Sequence, residues 1–81
     1  VPFYCVMTYE SRGQTVFDVV KGKQCNPYSA DLEQAYLRYT EDRLPEDITR
    51  KLAVLQMLDS EDFVDGVGVS AGNGVYYVVA E

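Results

Sequence analysis

The sequence predicts an α+β domain in which two helices pack on one side of a four-stranded antiparallel sheet. Segments rich in strand-forming residues stand near both ends of the chain, as PFYCVMTY at 2–9 and VYYVV at 75–79. Apolar residues with helical spacing lie between them. The predicted order β-β-α-α-β-β favours a two-layer sandwich. With 81 residues the chain has room for one core, so 1–81 is expected to be a single domain.

The first two strands are predicted to form a hairpin. Residues 2–9 are apolar on both alternating faces, which is typical of a strand covered on both sides. The stretch ESRGQ at 10–14 supplies turn chemistry around Gly13, and TVFDVV at 15–20 follows as the partner strand. The stretch KGKQCNP at 21–27 then ends the alternation.

Two helices are predicted in the middle of the chain. The first is capped by Ser29, or by Asn26 followed by Pro27, and its apolar face is marked by Leu32, Ala35, Tyr36 and Tyr39. TEDRLPED at 40–47 links it to the second helix, in whose first turn Pro45 fits and which ends near Asp59. The buried side of the second helix is predicted to consist of Ile48, Leu52, Leu55 and Leu58.

The last part of the chain, GVGVSAGNGVYYVVA at 66–80, is expected to form two strands joined at Asn73 and Gly74, a dipeptide suited to a tight hairpin. It also matches two catalytic patterns, G-x-S-x-G at 68–72 and G-x-G-x-x-A at 66–71. A nucleophile elbow needs a following helix and a base, and the chain has no histidine. A dinucleotide loop needs a helix N-terminus and an acid about twenty residues later. Both matches are interpreted as coincidences, and Ser70 is expected to have no chemical role.

Charge is unevenly distributed along the chain. Of the net charge of -6, residues 52–81 contribute five acids and no base. Such a chain would be repelled by nucleic acid and by anionic lipid, and its natural partners are proteins with basic surfaces. No segment is apolar enough over a sufficient length to span a bilayer. Two cysteines, Cys5 and Cys25, and no recognisable signal peptide favour a soluble cytoplasmic protein with reduced thiols over a disulfide-bonded one.

The stretch LDSEDFVDG at 58–66 concentrates carboxylates and raises several alternatives. Its spacing fails the calcium-loop pattern, and without histidine neither a metal nor another cofactor is expected. A catalytic pair would need one buried carboxyl group, so a solvated connection or a binding face is favoured, and the protein is expected not to be an enzyme. The predicted partner-binding residues are Asp31 and Glu33 on the first helix with Asp59, Glu61, Asp62 and Asp65.

A second candidate surface is the sheet itself. Two helices cover one face of a sheet, so the other face would expose apolar and tyrosine side chains, which are enriched at interfaces. Either a homodimer contact or cover by the loop at 21–28 would satisfy that face. The residues assigned to this interface are Tyr4, Val6, Tyr76 and Val78.

In layout and charge the chain resembles the small acidic proteins with which bacterial viruses inhibit host machinery, among them anti-CRISPR proteins. The resemblance covers the hairpin ending in TVFDVVKGKQ, the acidic helix SADLEQAYLRY, a second helix opening LPEDITRKL, and the closing strand. It implies an inhibitor that mimics nucleic acid and occupies the basic groove of a host nucleic-acid-binding protein. The alternative hypothesis is a structural or assembly protein that homodimerises through the sheet face.

Overall fold

The computed structural model describes residues 3–21, 36–58 and 61–80, which form an antiparallel sheet with a helix packed on one side. The strands stand in the order β3-β2-β1-β5-β4, so β1 is central. In chain order the elements are β1 (Phe3–Ser11), β2 (Gln14–Lys21), β3 (Tyr36–Thr40), a 3-10 turn (Glu41–Arg43), α1 (Glu46–Leu58), β4 (Gly68–Gly72) and β5 (Val75–Val79).

The α+β class is correct, but the predicted four-stranded sheet with two helices is wrong. The described residues contain five strands and one α-helix. The error lies in residues 36–39, which were assigned to the first helix, and in Thr40, which was assigned to the link; together they form β3 at the edge of the sheet. The earlier part of that predicted helix, with Leu32 and Ala35, lies outside the described residues, as do its proposed caps.

Backbone pairing with β2 explains why residues 36–40 form a strand. Leu37 lies opposite Val19 and Tyr39 opposite Phe17, so two apolar side chains of β3 extend the apolar rows of its neighbour. Tyrosine and threonine favour strands at least as much as helices. Hydrogen bonding to the backbone of β2 therefore determines the conformation of this segment more strongly than the helical spacing of its two tyrosines does.

The two hairpins were correctly predicted. β1 and β2 pair from Ser11 opposite Gln14 outward, and the two turn residues between them both have positive φ. β4 and β5 are joined by Asn73 and Gly74, with φ of 55° and 77°. Positive φ at both central residues is what a two-residue hairpin turn of this kind requires, and Asn and Gly tolerate it best.

Helix α1 covers one side of the sheet, here called the helix face. The buried residues of α1 are Ile48, Leu52 and Leu55, as predicted. Leu58 was assigned to the same side, but it is 51% exposed. At 3.6 residues per turn, Leu58 lies about 80° away from the centre of the buried stripe, which turns it to the flank of the helix. From the sheet, the core on this face contains Val6, Phe17, Val19 and Val78.

The other side of the sheet, here called the opposite face, is also apolar and buried. Alternation along each strand places its core residues there: Phe3, Cys5, Val20, Val69, Tyr77 and Val79. The ring of Phe63 packs edge-on against that of Phe3, with 6.0 Å between centroids. Both faces of β1 are thus covered, as the continuous apolar pattern of residues 2–9 predicted.

Cys5 is disulfide-bonded in the structure, and the chain has one other cysteine, Cys25. The expectation of reduced thiols is therefore wrong for this structure. Cys5 lies in the central strand with no exposed surface, so its side of the bond is part of the core on the opposite face. Among the residues that the structure describes, no helix is both long and apolar enough to cross a bilayer.

Candidate functional site

The carboxylates of the acidic stretch lie on a loop that leads into β4, here called the acidic loop and comprising residues 61–66. Glu61, Asp62 and Asp65 are all exposed. The other partner-binding residues predicted from sequence, Asp31, Glu33 and Asp59, lie outside the described residues. The structure thus places three of the six carboxylates on one exposed segment and does not describe the rest.

The acidic loop has a defined backbone conformation. The Val64 amide donates to the Gly68 carbonyl at 2.8 Å, and the amides of Gly68 and Val67 each donate to the Val64 carbonyl at 3.0 Å. The side chains of Val64 and Val67 pack against the core on the helix face. Because the two valines anchor the loop, Asp65 between them is held outward in the solvent.

The electrostatics of this region follow directly from composition. Residues 61–80 contain three acids and no lysine or arginine. Among the described residues outside this loop, Arg38 forms an ion pair with Asp18, and Arg50 and Lys51 form ion pairs with Asp47. The acidic loop is a segment in which acids follow one another closely and no basic residue is near in sequence.

The acidic loop has no feature of a catalytic or metal site. A carboxyl group prepared for acid catalysis usually sits in an apolar pocket, whereas Glu61, Asp62 and Asp65 are exposed. In the described part of the chain, no group of three or more Cys, His, Asp or Glu side chains is arranged to hold a metal ion. The loop offers charge for contact with a partner.

The residues assigned to a sheet-face interface lie on the helix face, beneath or beside α1. Val6 and Val78 have no exposed surface and belong to the core. Tyr4 and Tyr76 are half-buried and pack against that core. Cys5, on the opposite face, is equally buried. Since both faces of the sheet are covered within the monomer, the ground for an open, tyrosine-rich dimer surface is removed.

Ser70, the centre of the G-x-S-x-G match, lies within strand β4 and is buried. Its hydroxyl oxygen accepts a hydrogen bond from the Gly72 amide at 3.3 Å. The chain continues through the Asn73–Gly74 turn into β5, so the strand-to-helix turn of a nucleophile elbow is absent from this segment.

A buried ion pair on the opposite face was missed from sequence. Asp18, in β2, is 8% exposed, and its two carboxylate oxygens accept hydrogen bonds from Arg38 Nε at 2.7 Å and Nη2 at 3.1 Å. The Tyr9 hydroxyl donates to the same carboxylate at 3.0 Å. The hydrogen bonds from Arg38 hold the pKa of Asp18 below its ordinary value, and burial opposes that shift.

The signal for this ion pair was present in TVFDVV. An acid between valines in an apolar strand must find a partner, because a buried unpaired charge is too costly. Asp18 and Arg38 lie directly opposite each other in the β2–β3 register. The guanidinium of Arg38 also lies over the Tyr9 ring, 5.7 Å from its centroid. Assigning residues 36–39 to a helix concealed this pairing.

The chain matches no protein-family model, no curated protein and no solved structure. The fold and the acidic loop define a structural class: an α+β domain with a five-stranded antiparallel sheet among its described residues, and an exposed acidic segment that Val64 bridges to the edge strand β4.

Proposed function

We propose that this protein is a non-enzymatic binding protein whose acidic loop engages a basic surface on a nucleic-acid-binding protein of a host cell. The observation that carries the proposal is the exposure of Glu61, Asp62 and Asp65 on one loop without lysine or arginine, in which hydrogen bonds at Val64 and Val67 hold the backbone on either side of Asp65. Carboxylates held in place lose less entropy on binding than mobile ones do. Like phosphates, they attract cationic side chains over a distance and steer association.

We further propose, on the basis of charge alone, that the protein is a viral inhibitor of the anti-CRISPR kind. The resemblance in layout included a helix over SADLEQAYLRY, and the last part of that segment is strand β3. What remains in support is the net charge of -6 and the absence of lysine and arginine from residues 52–81. Nucleic-acid mimicry needs only such a surface.

The proposed place of action is the cytoplasm of the host cell. Cytoplasmic reductants would convert the disulfide at Cys5 to a thiol. Activity in that compartment therefore requires that the fold survive reduction, which a thermal unfolding experiment measures directly.

The test is retention of lysate proteins on the immobilised protein at low salt. We expect nucleic-acid-binding proteins to be retained, to be displaced by added DNA, and to elute as salt rises, because exposed ion pairs are screened. The double variant Glu61→Gln with Asp65→Asn should weaken this binding about two- to thirtyfold, at roughly 0.2–1 kcal/mol for each exposed pair.

A matched control removes the same charge elsewhere. Glu10 and Glu46 are exposed acids outside the acidic loop, so Glu10→Gln with Glu46→Gln changes net charge equally. The control variant should retain partners nearly as well as the unaltered protein. Equal losses in the two double variants would show that net charge alone matters, and equal retention by both would contradict a role for the acidic loop.

A further inference from the structure

A groove opens between helix α1 and the sheet on the helix face, beside strand β2. Its volume is about 350 Å³, within the range of small-ligand sites, which is roughly 300–1,000 Å³. Three buried apolar side chains, Phe17, Leu44 and Leu52, form its floor. The groove thus offers an apolar channel where the helix does not fully cover the sheet.

The rim of the groove is polar and carries one charged group. Thr15 and Gln56 stand on its two sides, and the carboxylate side chain of Glu41 stands at one end. The Thr49 hydroxyl also lines the groove but donates to the Pro45 carbonyl at 3.1 Å, within its own helix. Glu41 is therefore the ionisable group that a ligand in the groove would meet.

A second, wider cavity adjoins the groove at Glu41 and Thr15, which line both. It adds the Asp42 carboxylate, whose Oδ1 accepts a hydrogen bond from the Thr40 hydroxyl at 2.6 Å. That bond, followed by one from the backbone amide of Asp42 itself, holds the pKa of Asp42 below its ordinary value. The adjoining cavity thus places a second carboxylate beside Glu41, next to the groove.

We propose that the groove binds an arginine or lysine side chain of the basic partner, with its alkyl stem over Phe17 and Leu52 and its cationic head at Glu41. This inference rests on the proposed function, since it names the group through which a basic surface would be held. Arginine and lysine combine an apolar stem with a cationic head. The apolar floor of the groove matches the stem, and the Glu41 carboxylate matches the head. An anionic ligand would be repelled by Glu41. A wholly apolar ligand would make no favourable interaction with that carboxylate.

The decisive experiment uses agmatine, in which a four-carbon stem joins a guanidinium to an ammonium, as the probe for an arginine side chain. In a titration followed by amide ¹⁵N–¹H spectra, we expect saturable shifts at Phe17, Leu52 and Gln56. The urea analogue (4-aminobutyl)urea keeps the stem and the ammonium and should bind more weakly, because it lacks the guanidinium charge that Glu41 attracts.

Two substitutions test the two halves of the groove. Glu41→Gln should weaken agmatine about two- to fivefold, the effect expected of one exposed ion pair. Ala53, an exposed helix residue that also lines the groove, can be enlarged, and Ala53→Phe should abolish the saturable shifts by filling the channel. The control Glu46→Gln removes the same charge from an exposed acid of α1 and should leave agmatine binding unchanged.

The experiments distinguish failure of the groove hypothesis from failure of the acidic-loop hypothesis. Agmatine shifts confined to residues 61–66, or unchanged binding by Ala53→Phe in a folded protein, would overturn the groove while leaving the acidic loop as the partner site. Agmatine bound in the groove, together with lysate retention that is insensitive to the Glu61 and Asp65 substitutions, would support the groove and contradict the acidic loop.

Discussion

Single side chains decide where charge is tolerated in this small domain. Asp18 is buried in an apolar strand and is satisfied by three hydrogen bonds, two from Arg38 and one from Tyr9. Arg38 itself is 68% exposed at its side chain, so the pair has one buried and one solvated partner. The cost of breaking the pair therefore falls mainly on the carboxylate, whose side chain is 12% exposed.

Replacing Asp18 tests that assignment through pH. Asp18→Asn should lower the free energy of unfolding by about 1–3 kcal/mol at neutral pH, because it removes charge-assisted hydrogen bonds in a buried site. The folded-state pKa of Asp18 is lowered, so its contribution is complete above the unfolded value of about 3.9 and is lost as pH falls through the folded value. The stability difference between the two proteins should shrink below about pH 4.

Chemical denaturation at several pH values measures that difference. The exposed acid Asp65 provides the control, since Asp65→Asn should change stability little at any pH. A stability gap for Asp18→Asn that stayed constant from neutral to acidic pH would show that the ion pair is not the source of the effect.

Gly68 lies in β4 at a position where the backbone of β5 leaves no room for a side chain. A Cβ at this position would lie 2.0 Å from the Tyr77 carbonyl oxygen, and φ is +138°. Gly68→Ala should therefore cost at least about 3 kcal/mol in unfolding free energy. Gly66 also has positive φ but faces open space, so Gly66→Ala should cost only about 1–2 kcal/mol.

Thermal unfolding of the two alanine variants side by side checks this difference. Similar losses for both would mean that positive φ dominates and that the close approach to Tyr77 is relieved by a small shift of the strand.

At the scale of elements, the sequence correctly predicted the strands and the helix whose own residues determine their conformation. The two hairpins carry their own turn residues, and α1 has Pro45 before its first turn and a buried stripe at helical spacing. β3 differs because it is a strand only by virtue of pairing with β2, and its own five residues fit either a strand or a helix. The spacing of apolar residues within a short segment does not reveal which distant strand that segment will pair with.

The same reasoning applies to the candidate surfaces. The exposure of Glu61, Asp62 and Asp65 follows from charge alone and could be anticipated. The groove could not, because its floor and its rim come from β2, the 3-10 turn and α1, and only the tertiary fold brings them together. The sheet-face assignment failed for a related reason, since burial of Val6 depends on which way β1 faces the helix.

Helix α1 is expected to be held by its buried stripe and not by its exposed residues. Leu55 is 1% exposed, so Leu55→Ala should reduce the free energy of unfolding by about 2–4 kcal/mol through lost burial and a cavity. Met57, two residues later, is 85% exposed, and Met57→Ala should change it by less than about 0.5 kcal/mol. Denaturant titrations compare the two, and a large effect at Met57 would indicate that the end of α1 packs against something in solution.

For the whole molecule, the disulfide at Cys5 should be a main source of stability. Cross-linking a loop of about 20 residues stabilises by about 3 kcal/mol, which corresponds to about 10–25 °C in midpoint for a domain of this size. Reduction should therefore lower the thermal midpoint by that amount while leaving a folded protein at room temperature if the proposed cytoplasmic role is correct.

Circular dichroism with and without reductant measures this change, with thiol quantification to prove reduction. A Cys25→Ser variant supplies the control, because reductant should not shift its midpoint further. An unchanged midpoint in the fully reduced protein would remove the disulfide as a stabilising element, and an unfolded reduced protein would contradict action in the cytoplasm.

The central position of β1 also affects how the chain folds while it is being synthesised. β1 begins at Phe3, yet its partner on one side is β5, which ends at Val79. During synthesis the β1–β2 hairpin can form early, but one edge of β1 stays unpaired until β5 has also left the exit tunnel. In that interval its unpaired N–H and C=O groups are open to other nascent chains, which makes premature termination before β5 a route to aggregation.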